Sequence, residues 1–168
     1  MPSVLFFTSL TIFKMLLNHT KFMGLALKEA EKAYEKDEVP VGAVLVSQTG
    51  LILSSAHNHT IILSDTTAHA EILALREACQ KVQNYRLLNT TLYVTVEPCL
   101  MCMGAIIHSR AARVVFGAFD PKWGAAGSLY NFAEDMRLNH HPDIISGICH
   151  DESKRLMQDF FRNKRKKA

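Results

Sequence analysis

The stretch Leu92-Tyr93-Val94-Thr95-Val96-Glu97-Pro98-Cys99-Leu100-Met101-Cys102-Met103 decides the fold. Leu92 to Val96 is a short apolar run of strand-forming residues. Pro98 then predicts the opening of a helix to about His108, because a proline lacks only an N–H that the first helical turn leaves unpaired. A strand turning directly into a helix is the unit of a layered α/β sheet. The flanking sequence repeats the theme. His69 to Val82 is helical by the spacing of Ile72, Leu75, Cys79 and Val82. Val41 to Val46 reads as a buried strand, and Gln48-Thr49-Gly50 turns it into a second, Leu51 to Ala56. A polar loop fills His57 to Thr67. Upstream, Phe22, Ala26, Ala30 and Ala33 recur on one face of a helix from about Thr20 to Lys36. Downstream come a strand at Val114 to Gly117, a loop from Ala118 to Gly127, a last strand near Ile144-Ile145 and a terminal helix from Glu152 to Lys166. The order predicts an α/β sheet flanked by helices.

Composition sets the frame for function. The 168 residues suffice for one domain with a real core, and 48% apolar with 21% charged residues argues against a disordered or fibrous chain. The formal charge of +3 is unevenly spread. Ser153 to Ala168 carries seven Lys or Arg against Asp159 alone, a segment of +6 that leaves −3 on the rest. A basic end on a slightly acidic body suits a polyanionic partner; a solvated helix end favoured by its dipole accounts for the charge equally well. Four cysteines are too few for a disulfide scaffold, and their C-x-x-C pair reads as intracellular metal or redox chemistry.

Val4 to Phe13 is an apolar run too short to span a bilayer. No basic residues precede it and no small-residue cleavage site follows, so it does not read as a signal peptide. The first arginine is Arg76, which argues against a mitochondrial transit peptide. Residues 1–17 are therefore set apart as an extension without an assigned role, with Met15 as an alternative start, and 18–168 as the functional domain. A cytoplasmic location follows.

The chemistry rests on His69-Ala70-Glu71 taken together with Cys99 and Cys102. One imidazole and two thiolates suit Zn²⁺ and leave its fourth tetrahedral position open to water, whose pKa then falls to about 7. Cys99 and Cys102, three apart, share one face of a first helical turn, where unpaired N–H groups favour thiolates. His69 and Glu71 are two apart, so both approach one metal only if it lies over the helix end. Glu71 is the candidate catalytic residue, a carboxylate able to take a proton from the activated water and pass it on.

These motifs, in this order, resemble the zinc-dependent nucleobase deaminases, whose pattern pairs H-x-E with P-C-x-x-C. Over roughly Thr20 to Lys164 the chain is similar to the bacterial tRNA-specific adenosine deaminases of the cytidine and deoxycytidylate deaminase superfamily. The similarity extends to Glu38-Val39-Pro40-Val41-Gly42-Ala43-Val44, Asn58, Gln83-Asn84-Tyr85-Arg86-Leu87, His108-Ser109-Arg110, Gly124-Ala125-Ala126-Gly127-Ser128 and Asp159-Phe160-Phe161-Arg162. It implies a cytidine-deaminase-like three-layer α/β/α fold with a mixed five-stranded sheet, one zinc per chain, and hydrolysis of wobble adenosine to inosine. It implies substrate contacts at Val41, Asn58, Ala70 and Asp120, with Phe161, Arg162, Lys164 and Arg165 on the tRNA anticodon stem-loop. It also implies a homodimer. Residues 1–17 have no counterpart in the family, Phe119 stands where a basic residue is common, and Trp123 interrupts the stretch before Gly124.

Three rival functions are separable. A guanine or free-nucleoside deaminase shares Thr95-Val96-Glu97-Pro98-Cys99 and leaves the basic tail without purpose. A thioredoxin-like protein explains Cys99 and Cys102 and leaves His69-Ala70-Glu71 unexplained. A catalytically dead RNA-binding subunit is at odds with the presence of Glu71. Cys79 shares the face of Ile72 and Leu75 and reads as core.

Overall fold

The computed structural model describes residues 9–167, with side chains from His19 onward. Its elements run α1 (Ser9–Glu35), β1 (Gly42–Ser47), β2 (Ile52–His57), α2 (Ala70–Val82), β3 (Thr90–Val96), α3 (Leu100–Ser109), β4 (Arg113–Ala118), β5 (Asp143–Ile145) and α4 (His150–Lys167). The five strands form one sheet in the order β2-β1-β3-β4-β5. β1 lies antiparallel to β2 and β3, whereas β3, β4 and β5 run parallel, so the sheet is mixed.

Strand alternation builds the layers. Ala43, Leu45, Leu92, Val94, Val114 and Phe116 point into a core completed by Ala74, Ala78, Met103 and Ile106 of α2 and α3. Their neighbours Val44, Val46, Tyr93 and Val115 point the other way, onto Phe22, Met23 and Ala26 of α1. Both faces are covered, which is why the central strands read as continuous apolar runs. At Gly42 the helix lies so close that a Cβ would stand 2.0 Å from the carbonyl oxygen of Ala26. The tight turn between β1 and β2 places Gly50 at φ +85°, a conformation glycine adopts without steric cost.

Two boundaries differ from the sequence expectation. α1 begins at Ser9 and not near Thr20, so it runs across the expected boundary at residue 17. Nothing between Ser9 and Thr20 breaks a helix, since the segment holds neither glycine nor proline. The expected extension lies in part outside the described residues, which begin at Ser9. Pro98 does not open α3; that helix starts at Leu100 with Cys99 as its N-cap, in extended backbone at φ −74° and ψ 173°. The Pro98 carbonyl instead accepts from the N–H of Ala125, and Cys99 bridges Gly124, which ties the segment to a neighbouring loop. Among the described residues no helix is long and apolar enough to cross a membrane.

Candidate active site

The parallel strands β3 and β4 carry the chain toward one edge of the sheet, and loops beyond that edge enclose a cleft of about 610 Å³. Its lining includes Val41, Asn58, His69, Glu71, Cys99 and Asp120. Open α/β sheets bind ligands at the carboxyl ends of their strands for this reason: loops and helix N-termini converge there.

Two helix starts meet at the floor. His69 caps α2 and Cys99 caps α3, each with extended backbone, and Cys102 sits one turn into α3. Their ligand atoms lie within 4.8 Å of one another, and Glu71 is not a member of the group. His69 Nδ1 is 3.8 Å from Cys99 Sγ and 3.5 Å from Cys102 Sγ. Zinc bonds of about 2.3 Å to sulfur and 2.0–2.1 Å to nitrogen set a tetrahedral sulfur and nitrogen about 3.6 Å apart, and both distances from His69 to sulfur are close to that. The condition on His69 and Glu71 is also met. Because His69 is a cap and not a mid-helix residue, its side chain and that of Glu71 face the same cleft.

The electrostatics of the cluster are those of a cation site. Cys99 is held as a thiolate, with a pKa of about 4, chiefly because Cys102 donates to its sulfur and then because His69 lies beside it. Cys102 is pushed upward in turn by the shared proton and by burial. The same thiolate raises the His69 imidazole, against its desolvation. A divalent ion held by the two sulfurs and the imidazole nitrogen would take the place of the shared proton. Glu71 is 3% exposed, and its Oε2 has no hydrogen-bond partner among the described residues. Burial lifts its pKa to about 7, the range in which a carboxyl group both takes and gives a proton at neutral pH.

Asn58 is buried and oriented. Its Oδ1 accepts from the N–H of Ala70 at 2.8 Å, and its own N–H reaches the carbonyl of Val41 at 3.1 Å. The amide NH₂ is the end left to face the cleft. Ala70 itself packs in the core and acts on the cleft through Asn58. Asp120 lines the rim, where its Oδ1 accepts from the N–H groups of Lys122 and Trp123.

The four tail residues are placed less uniformly. Phe161 stands four positions beyond Met157, which lines the cleft, and so neighbours it on the helix surface, and Arg165 stands exposed four positions beyond Phe161. Arg162 pairs with Asp159 within the helix, and Lys164 is bonded to Asp37 beyond the end of α1 while lying over Phe160. Lys164 therefore also fastens α4 to α1. His57, where the sequence places the start of a polar loop, is instead the last residue of β2 and is buried, with its Nδ1 2.7 Å from Glu29. Cys79 packs against the core as expected.

Glu97 is the residue that sequence reasoning passed over. Its carboxylate, 3% exposed, accepts the N–H groups of Asp120, Ala126 and Ser128 and the hydroxyl of Ser128. The signal was a charged residue closing an apolar strand beside the metal motif. Glu38 does similar work across the cleft, where its buried carboxylate holds Thr60 and the N–H groups of Ile61 and Ile62.

A mixed sheet with a His/Cys/Cys cluster at two helix starts defines a zinc-binding deaminase. The chain belongs to the cytidine and deoxycytidylate deaminase family, whose zinc-binding region matches residues 17–118. It is 50% identical to the tRNA-specific adenosine deaminase of Haemophilus influenzae over 145 residues, 86% of this chain and 84% of that one. To the tRNA-specific adenosine deaminase of Bacillus subtilis it is 49% identical over 146 residues, 87% and 90% of the two chains. It also superposes, with a TM-score of 0.79 and 47% identity, on a structure solved in a study of A-to-I editing by tRNA:A34 deaminases at the wobble position of transfer RNA. That match covers 82% of this chain and 99% of the other.

Proposed function

We propose that this chain hydrolyses adenosine to inosine at the wobble position of a tRNA anticodon. The observation that carries the reading is the buried Glu71 carboxylate, whose Oε2 has no hydrogen-bond partner among the described residues, beside a three-donor cluster fit for zinc, in a chain about half identical to tRNA-specific adenosine deaminases. His69, Cys99 and Cys102 hold the metal. Zinc bound there supplies a Lewis acid that brings a water to a pKa of about 7. Glu71 takes a proton from the attacking water and delivers it to the adjacent ring nitrogen. Once the water oxygen has bonded to the ring carbon that bears the amine, Glu71 takes the remaining proton of that hydroxyl and passes it to the exocyclic nitrogen; the C–N bond breaks, the oxygen becomes a carbonyl, and ammonia leaves. Asn58 holds the base by its amide, and Val41 gives the ring an apolar wall. A cleft of about 610 Å³ admits one flipped nucleotide and excludes a stacked duplex.

The anticodon stem-loop is the partner, held beyond the cleft by Phe161 and Arg165, with Arg162 and Lys164 at the edge of the same helix. The active domain spans 18–168 and works in the cytoplasm as a homodimer. An apolar groove between α2 and α3, formed by Ile72, Leu75, Met101 and Ala105, is the face that supports self-association. Light scattering at micromolar concentration checks this, and a mass of one chain counts against it.

The deciding experiment is a deamination assay on zinc-loaded protein. Its substrates are an anticodon stem-loop with wobble A, the same stem-loop with G, and free guanine, adenosine and cytidine. Inosine from the first alone is the expected result. Product from a free base or nucleoside, with the stem-loop untouched, moves the chain to a metabolic deaminase.

A further inference from the structure

Trp123 is the only tryptophan in the chain, and it is 68% exposed on the rim of the catalytic cleft. An indole on the rim of a cleft presents a large flat face that gains from being covered. The turn that carries it is tied at several points. Asp120 Oδ1 accepts from the N–H of Trp123 at 3.2 Å and of Lys122 at 3.0 Å. The Asp120 carbonyl accepts from the N–H of Gly124 at 2.8 Å. The N–H of Asp120 donates to Glu97 Oε2 at 3.1 Å, and the other oxygen of Glu97 takes the N–H groups of Ala126 and Ser128. Gly124 packs so tightly on this carboxylate that a Cβ would come within 2.4 Å of it. The backbone beneath the indole is thus fixed from both ends.

A base that enters the cleft alone must leave its stack, and the bases beside it then lose a covering face. A preset aromatic at the rim replaces that face without ordering a new loop. We infer that Trp123 is a stacking platform for the base next to the target adenosine. The inference rests on the reading of the site as one for a single-stranded anticodon loop. Stacking of one base on an aromatic side chain is worth about a 5- to 150-fold change in affinity.

The single indole makes the test direct, because all tryptophan fluorescence comes from this position. Zinc-loaded Glu71→Ala protein is titrated with the anticodon stem-loop, and with versions made abasic at the 5′ or the 3′ neighbour of the wobble adenosine. Labelled-RNA anisotropy reports binding alongside the fluorescence. The expected result is quenching by the intact stem-loop, lost for one of the abasic RNAs together with about 5- to 150-fold in affinity. Adding Trp123→Ala weakens the intact RNA by the same factor and leaves the affinity of that abasic RNA unchanged; Trp123→Phe recovers part of the loss. Tight binding with unchanged fluorescence, or full affinity in the Trp123→Ala variant, would overturn the inference. If wild-type protein neither binds nor deaminates the stem-loop but turns over a free base or nucleoside, the tRNA reading fails and takes the inference with it.

Discussion

At the scale of single residues, the proposed roles divide the site into groups that would hold the metal and a group that would carry the proton. Cys102 and Glu71 lie in the same buried floor and should fail differently. Replacing Cys102 by alanine removes one of three donors, so zinc measured per chain falls well below one. Replacing Glu71 by glutamine keeps shape and ligands, so zinc stays near one per chain while kcat falls by about 10²- to 10⁴-fold. Retained turnover in Glu71→Gln would remove the proton-transfer role. Both candidates were legible in the sequence, because a metal site with a proton carrier beside it would need particular donors at particular spacings. Glu97 was not. A buried carboxylate that solvates a distant loop leaves no spacing rule, since its partners Asp120, Ala126 and Ser128 lie 23 to 31 positions away.

Among the elements, α1 is the one whose contacts lend themselves to a pH test. His19 is buried, with its Nδ1 2.9 Å from the hydroxyl of Tyr93 on β3. Burial first, and Arg113 second, lower its pKa from the ordinary 6.5. The fold therefore favours the neutral ring, while the unfolded chain takes up a proton below about pH 6.5. The stability this residue contributes is present above that pH and is lost as pH falls toward the folded-state value. Thermal unfolding should thus show a lower Tm near pH 5 than near pH 7.5, and His19→Gln should narrow the difference. An undiminished pH dependence in that variant would assign the effect elsewhere. The contact of α1 with β1 is sharper still. Gly42→Ala forces a methyl against Ala26 and costs about 1–3 kcal/mol, with Tm falling by about 2–4 °C for each. Periodicity revealed that α1 has an apolar face; the missing volume at Gly42 appears only when helix and strand are brought together.

For the molecule as a whole, charge is the long-range signal. The basic tail forms the end of α4, and its lysines and arginines do not share one task. Lys164 is drawn to Asp37 and Arg162 to Asp159, whereas Arg165 is exposed one turn beyond Phe161. Arg165→Ala should weaken stem-loop binding and reduce the slope of log K against log salt by about 1. Lys164→Ala should in addition lower Tm, because it releases the contact between α4 and α1. An unchanged slope in Arg165→Ala would remove this residue from the RNA contact.

The order of elements, the helix–strand units and the candidate zinc donors were legible in the sequence, because these depend on local periodicity and on donor chemistry at short spacing. The tertiary structure decided what depends on distance through space. It set His69 and Cys99 as caps of two different helices, turned Asn58 by the N–H of Ala70, gave Glu97 a loop to hold, and divided the tail between fastening and exposure. Those outcomes follow from burial, which makes a buried polar group find a partner wherever the fold offers one, however far along the chain.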